Sequence, residues 1–166
     1  CGEFDNDQQL EQMGAYAEQF PFCRHKNTLC NDKIKNLPAN FSGYFVLEES
    51  DYYFGDNANI LPHLFLFTED QSGNVVLTSY NQPGRYSHED FRYTDALQLD
   101  FKELTPSPRF SPITYHWDGT AFAGESVSQF SPILRFTLKE RIGPDILEVQ
   151  EIFERDGQCT FGYDQP

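Results

Sequence analysis

The four cysteines of this chain are its most chemically versatile residues, because a thiol can bind a metal, form a disulfide or act as a nucleophile. They are Cys1, Cys23, Cys30 and Cys159. The spacing of Cys23 and Cys30 matches neither a zinc knuckle nor a redox Cys-x-x-Cys motif. A disulfide formed in an oxidising compartment is the simpler interpretation. The sequence therefore predicts a Cys23–Cys30 bridge that closes a loop of about eight residues.

The other side chains capable of chemistry form no recognised catalytic or metal-binding motif. The four histidines contain no His-Glu-x-x-His pattern. Residues 124–128 (Gly-Glu-Ser-Val-Ser) lack the second glycine of a serine nucleophile elbow. Residues 51–59 are rich in carboxylates and amides but depart from the spacing of a calcium-binding EF-hand loop. We therefore expect a protein that is not an enzyme, with no catalytic residue, no cofactor and no metal.

Cys1 has a second interpretation, which depends on its position in the chain. It is followed by the small residue Gly2 and by a short polar stretch. This start resembles that of mature bacterial lipoproteins, in which the thiol of an N-terminal cysteine carries a diacylglycerol. The resemblance implies lipidation of Cys1 and attachment to the outer membrane of a cell envelope, on its periplasmic or surface face. A secreted protein with a Cys1–Cys159 disulfide is the alternative, favoured by the even number of cysteines.

Composition excludes several classes of partner and favours β-structure. The 26 acidic and 12 basic residues give a formal charge of −14, which repels nucleic acids and anionic bilayers. No apolar run approaches the roughly 18 residues of a membrane-spanning helix. The 16 Phe and 9 Tyr residues favour strands, because aromatic side chains pack well on pleated sheets.

The N-terminal quarter of the chain has one helical pattern. Apolar residues recur at helical spacing over residues 7–20: Leu10, Met13, Ala17 and Phe20. Asn6 and Gln9 are placed like a capping box at the start of this helix. We interpret residues 1–42 as a polar tether, this amphipathic helix and a disulfide-linked, loop-rich hinge. The basic cluster at residues 24–26 is then predicted to be a solvated loop.

From Gly43 the apolar pattern changes to a period of two, which predicts eight to ten strands joined mostly by short turns. Short connections make neighbouring strands antiparallel, so residues 43–166 are predicted to form a β-meander that closes as a barrel or folds as a sandwich. A helix followed by such a meander resembles the lipocalin-like (calycin) barrels in shape. Glu151 is in phase with the apolar residues Val149 and Phe153, and we expect a β-bulge to turn it outward.

Two segments are candidates for docking a partner: the polar loop 81–94 and the proline-dense segment 105–112. In the second, the candidate partner-binding residues are Pro106, Pro108, Arg109, Phe110 and Pro112. We expect a non-catalytic, lipid-anchored assembly subunit that binds other envelope proteins. The alternative is a calycin-type carrier that holds a small apolar ligand inside its barrel.

Overall fold

The computed structural model describes residues 1–92 and 97–162 and confirms a mostly-β fold with an N-terminal helix. The first six strands are β1 (Gly2–Asp5), β2 (Phe22–Leu29), β3 (Ile34–Lys35), β4 (Tyr44–Phe54), β5 (Asn57–Glu69) and β6 (Val75–Tyr80). The other strands of the described residues are β7 (Leu99–Asp100), β8 (Ile113–Trp117), β9 (Phe122–Ser131), β10 (Leu134–Ile142), β11 (Leu147–Arg155) and β12 (Gln158–Phe161). Two α-helices, α1 (Asp7–Met13) and α2 (His88–Phe91), accompany them.

Ten of these strands form one sheet in the order β1-β2-β4-β5-β6-β8-β9-β10-β11-β12. The order follows the chain, apart from β3 and β7, which pair in parallel with each other. The predicted meander is therefore confirmed. The barrel alternative is wrong, because closure requires the first and last strands to pair, whereas β1 and β12 are the two ends of the order over the described residues.

The N-terminal helix is shorter than the apolar spacing predicts. Helix α1 ends at Gly14, whose φ of 57° is a left-handed conformation that suits glycine, and a 3₁₀ helix (Gly14–Gln19) follows. Asn6 does not form the predicted capping box. Its Oδ1 instead accepts a hydrogen bond from the Cys23 backbone amide (2.8 Å), and its Nδ2 donates to the Pro21 carbonyl (3.0 Å). These bonds join the start of α1 to β2.

Strands occupy both regions that the sequence assigned to a tether and a hinge. The predicted tether contains β1, which pairs with β2 along its whole length. The predicted hinge contains β2 itself, which pairs with β4. Both interpretations are wrong for the same reason. Strand β2 carries polar and charged residues on its two faces, so it lacks the apolar alternation that identifies a half-buried strand.

The predicted Cys23–Cys30 disulfide is also wrong, because extended strand separates the two residues. At about 3.3 Å per residue their Cα atoms lie about 23 Å apart, whereas a disulfide requires less than about 7 Å. None of the four cysteines forms a disulfide, and Cys1 and Cys159 are exposed. Cys30 is buried, its thiol donates to the Phe45 carbonyl (3.5 Å), and burial raises its pKa to about 12.

The chain divides into two compact units. Unit 1 contains Cys1–Phe65 and Tyr80–Thr105, and unit 2 contains Leu66–Ser79 and Pro106–Pro166. Strand β4 is the centre of unit 1, since successive residues from Phe45 to Asp51 are buried and therefore both faces of the strand are covered. The buried apolar residues of unit 1 include Cys30, Phe45, Leu47, Leu64, Phe91, Leu97 and Leu99.

Unit 2 has its core on one face of β8, β9 and β10. Its buried residues include Leu66, Leu77, Ile113, Tyr115, Ala121 and Phe136. The pairing of β10 with β11 is continuous and places Glu151 opposite Leu138. The predicted bulge at Glu151 is therefore wrong, and this carboxylate shares a face with Val149 and Phe153. The strand tolerates it because β11 is only partly buried, so the charge is not removed from water.

Candidate functional site

The predicted docking segment 105–112 contains residues with two different environments. Its three prolines are exposed: Pro106, Pro108 and Pro112. Arg109 and Phe110 instead contact Phe130 of β9: the guanidinium carbon lies 4.1 Å from the centroid of the Phe130 ring, and the two phenyl rings are 5.3 Å apart. Arg109 and Phe110 therefore help to hold the segment on unit 2. A partner-binding role for the five residues stays a prediction.

Phe110 belongs to a cluster of phenylalanines that lies at one end of the strands of unit 2. Its members are Phe110, Phe130, Phe136, Phe153 and Phe161. The tightest pair, Phe136 and Phe153, lies across β10 and β11 with ring centroids 4.6 Å apart. Each such pair contributes about 0.5–1.5 kcal/mol beyond the burial of its area. The proline-dense segment is thus anchored by aromatic packing.

The opposite end of the same strands carries exposed apolar side chains. The strand pairings place Trp117, Phe122, Ile142 and Leu147 side by side across β8, β9, β10 and β11. Trp117 is 57% exposed and Phe122 40% exposed, and their rings meet edge to face with centroids 5.1 Å apart. Ile146, in the turn that follows β10, is 37% exposed. We call Trp117, Phe122, Ile142, Ile146 and Leu147 the end surface.

Polar bonds order the turns beside the end surface. Asp118 Oδ1 accepts hydrogen bonds from the backbone amides of Thr120 (2.8 Å) and Ala121 (2.9 Å). Arg141 Nε donates to Asp118 Oδ2 (2.7 Å), which ties β10 to the turn between β8 and β9. A Cβ on Gly143 would lie 2.8 Å from Ile146 Cγ2 and 3.5 Å from Ala121 Cβ, so the two turns are in close contact. These bonds therefore order the turn that Trp117 and Phe122 flank.

Strands β1, β2 and β4 of unit 1 carry two rows of alternating charge. The pairings align Glu3, Lys26 and Glu49 in one row, and Asp5, Arg24 and Asp51 in the next. Arg24 Nε donates to Asp51 Oδ2 (3.2 Å), and the Tyr53 hydroxyl donates to the same oxygen (3.3 Å). Arg92 Nε donates to Glu49 Oε2 (2.9 Å). The prediction of a solvated basic loop at residues 24–26 is wrong.

The other face of β2 and β4 brings together Ser50, His25 and Glu48. Ser50 Oγ lies 3.2 Å and Glu48 Oε1 lies 3.3 Å from the same atom, His25 Nδ1. A Ser-His-acid triad requires the serine and the carboxylate at opposite nitrogens of the imidazole, so that a proton can pass from the hydroxyl while the acid orients the ring. This arrangement therefore lacks the geometry of a hydrolase triad.

Burial and charge act in opposite directions on the ionisable groups of this face. Burial alone would raise the pKa of Glu48, but the hydrogen bond and the charge of His25 outweigh it, so the pKa lies below its ordinary value. Burial lowers the pKa of His63 on β5, against the opposing effect of Glu48, and the neighbouring His25 and His88 lower it further. Unit 1 thus favours an ionised Glu48 beside a neutral His63.

Over residues 1–92 and 97–162, no group of three or more His, Cys, Asp or Glu side chains is placed to hold a metal ion. A surface cleft of about 370 Å³ in unit 1 is lined mostly by polar and charged side chains: Lys35, Arg85, Tyr86, Gln98, Asp100 and Glu103. Within the same residues, none of the helices has the length and apolar character needed to cross a membrane.

Comparison of the chain with protein-family models, with curated proteins and with solved structures finds no significant match.

The sequence pattern did not identify the end surface, because Trp117 is in phase with the buried residues Ile113 and Tyr115 of the same strand. The available signal was the position of Trp117 and Phe122, which flank the turn-forming pair Asp118-Gly119. The charges of β2 and β4 were likewise visible in the sequence, as two bases spaced two residues apart on β2 (Arg24 and Lys26) and two acids with the same spacing on β4 (Glu49 and Asp51). Their pairing depends on strand register, which the sequence does not specify.

Proposed function

We propose that this protein is a non-catalytic, protein-binding subunit of a cell-envelope assembly and that it binds its partner through the end surface. The observation that carries the proposal is the exposed, edge-to-face pair of Trp117 and Phe122 on either side of an ordered turn. Aromatic residues, tryptophan above all, contribute most of the binding energy at protein interfaces. Anchors that flank an ordered turn also lose less backbone freedom on binding than anchors on a mobile loop.

Two further observations support a binding role over the other functions considered. The Ser50, His25 and Glu48 side chains meet at a single imidazole nitrogen, which gives a hydrolase no relay. The carrier alternative needs the interior of a closed barrel, whereas the described sheet is open and the cleft in unit 1 has a charged lining. Neither observation favours catalysis or the carriage of an apolar ligand.

We propose in addition that Cys1 carries the lipid that attaches the protein to the envelope. Cys1 is exposed and its thiol is free, and it directly precedes edge strand β1. Two or more acyl chains attach a protein stably to a bilayer, at about 0.8 kcal/mol per buried methylene. The intact mass of protein from its native cells should exceed the polypeptide mass by two or three acyl chains. A mass equal to that of the polypeptide would refute lipidation.

The docking proposal is tested by the size of the native assembly. Protein released gently from its native cells should elute as a complex whose mass, by light scattering, exceeds the 19.2 kDa of the chain. The double variant Trp117→Ala/Phe122→Ala should elute as a lone chain. Tyr16→Ala/Tyr44→Ala, which removes two aromatic residues of unit 1 that are 69% and 63% exposed, is the matched control and should retain the complex.

The opposite pattern decides against the proposal. A complex that survives loss of Trp117 and Phe122, or a wild-type protein that is recovered from native cells as a lone chain, would be incompatible with docking through the end surface.

A further inference from the structure

We infer that unit 1 contains an acid-sensitive switch, in which protonation of a histidine cluster loosens the strands that carry it while unit 2 keeps its structure. The cluster consists of His25 on β2, Glu48 on β4 and His63 on β5. Strand β4 lies between β2 and β5 in the sheet, and Glu48 interacts with both imidazoles. Such a switch is a property of unit 1 and does not depend on the partner proposed for the end surface.

Both imidazoles of the cluster lie among aromatic rings and largely away from bulk water. Glu48 is buried, and His25 and His63 are partly buried. The His25 ring meets the Tyr52 ring edge to face, with centroids 5.9 Å apart. The His63 ring is stacked on the Phe65 ring, with centroids 5.7 Å apart. Because removal from water disfavours the charged form of an imidazole, the folded unit favours neutral His63.

The charges around His63 do not offset the effect of burial. Among the described residues, Glu48 is the charged group that favours protonation of His63, and its Oε1 already lies 3.3 Å from His25 Nδ1. His25 of β2 and His88 of α2 oppose protonation. Burial is the largest effect, and the pKa of His63 is lowered. Below about pH 6.5, protons therefore bind preferentially to forms of unit 1 in which His63 has reached water.

The histidines of the chain are concentrated in unit 1. Histidine is the side chain whose ordinary pKa lies between about pH 5 and about pH 8. His25, His63 and His88 belong to unit 1, whereas His116 is the one histidine of unit 2. His116 is exposed, so its imidazole can be protonated without leaving or entering water. Mild acid therefore acts on the packing of unit 1 and spares that of unit 2.

Amide hydrogen exchange followed by mass spectrometry tests the switch, because it reports the opening of each strand separately. Exchange of the full chain is compared at about pH 7.5 and about pH 5, with each rate corrected for the intrinsic dependence of exchange on pH. The paired strands β2 and β4 report on unit 1, and the paired strands β9 and β10 report on unit 2. Opening of β2 and β4 should increase about tenfold in acid, whereas opening of β9 and β10 should change by less than about twofold.

Two variants separate the titration of His63 from other effects of acid. His63→Phe keeps an aromatic ring against Phe65 but cannot be protonated, so the acid-induced opening of β2 and β4 should fall to less than about threefold. His116→Gln removes the exposed histidine of unit 2 and should keep the full, about tenfold increase. Circular dichroism at about pH 7.5 shows first that both variants are folded. If His63→Phe does not fold, the wild-type comparison of the two strand pairs still decides.

Three results would overturn the switch. They are an equal increase of exchange in both strand pairs, no increase in β2 and β4, and an undiminished increase in folded His63→Phe. None of these results involves Trp117 or Phe122, so failure of the switch is distinct from failure of docking through the end surface.

Discussion

At the scale of single residues, unit 1 is organised around a buried charge. Asp51 is fully buried, and its Oδ2 accepts hydrogen bonds from Arg24 and Tyr53. Oδ1 has no hydrogen-bond partner within the described residues. A buried carboxylate is tolerated only when it is paired, so Asp51 makes the stability of unit 1 depend on Arg24.

Removal of this pairing should be costly. Arg24→Ala should lower the free energy of unfolding by about 3 kcal/mol, the low end for breaking a buried ion pair, because the Arg24 side chain is itself partly exposed. Lys26→Ala is the control, since Lys26 lies on the same strand and face but pairs with an exposed Glu3 at 3.8 Å. It should cost less than about 1 kcal/mol. Urea unfolding followed by circular dichroism measures both values, and similar losses for the two variants would refute this account of Asp51.

The histidines of unit 1 predict that acid destabilises the fold. The pKa of His63 is lowered in the folded state, so the unfolded chain binds more protons once the pH falls below its ordinary pKa of about 6.5. Stability is therefore lost from about pH 6.5 downward. Glu48, whose folded pKa is also lowered, adds a further loss once the pH falls below the ordinary pKa of about 4.3 toward the lower folded pKa. His25 and His88 are the other ionisable groups near His63.

The contribution of His63 can be isolated by substitution. His63→Phe keeps an aromatic ring against Phe65, with which His63 is stacked, but removes the titration. The urea midpoint of this variant should fall less between about pH 7.5 and about pH 5 than that of the wild type. His116→Gln, at an exposed position, should keep the full decrease. A His63→Phe midpoint that falls as steeply as the wild-type midpoint would exclude His63 as the cause.

At the scale of elements, the pair β8–β9 brings the core and the end surface together. Tyr115 of β8 lies against Gly124 of β9, and its hydroxyl donates a hydrogen bond to Glu140 of β10. A Cβ at Gly124 would lie 2.6 Å from Ile113 Cγ2 and 3.0 Å from the Thr114 carbonyl. The close packing of β8 against β9 therefore requires glycine at position 124. A larger residue there would displace β8, and with it Trp117 at the end of β8.

Gly124→Ala should destabilise the protein by about 1–3 kcal/mol, the usual cost of overpacking a filled core. Gly84→Ala is the matched control, because nothing lies within 4 Å of the position of its Cβ. It should change the free energy of unfolding by less than about 0.5 kcal/mol. Chemical denaturation of the two variants makes the comparison, and equal stabilities would contradict the packing described for β8 and β9.

The elements also show what the sequence could and could not predict. Strands such as β8 and β10 were predictable because apolar and polar residues alternate along them. The Asp156-Gly157 turn was predictable because Asp-Gly is a preferred pair for a two-residue hairpin, which requires positive φ at both positions. In the structure these φ angles are 51° and 74°. Strands β1 and β2 were missed because charge pairs across strands, rather than apolar side chains, cover one of their faces.

The candidate sites were predictable to different degrees. The segment 105–112 was visible from its prolines, but the contact of Arg109 with Phe130 depends on the fold. The end surface depends on which apolar residues of a strand lie beyond the core, a property of strand length and register. The loop 81–94 contains α2, capped by Ser87 through a hydrogen bond from the Asp90 amide (3.0 Å), while its residues 93 and 94 lie outside the described residues. The period-two pattern of the sequence also predicts that Cys159, Phe161 and Tyr163 end the sheet, and Tyr163 lies outside the described residues.

At the scale of the whole molecule, a high negative charge accompanies a small exposed apolar surface. A net charge of −14 keeps copies of the chain apart and leaves partner choice to local complementarity. The end surface provides that complementarity in unit 2, whereas unit 1 concentrates its charges in paired rows. We therefore expect association with a dissimilar protein rather than self-association.

The most direct test of docking through the end surface is hydroxyl-radical footprinting by mass spectrometry, which compares oxidation of aromatic side chains in the isolated protein and in its native assembly. Trp117 and Phe122 should become severalfold less reactive in the assembly, because they contribute the apolar anchors that a partner buries. Tyr16 and Tyr44 of unit 1 should keep their reactivity. Unchanged oxidation of Trp117 and Phe122 in a confirmed assembly would contradict the account.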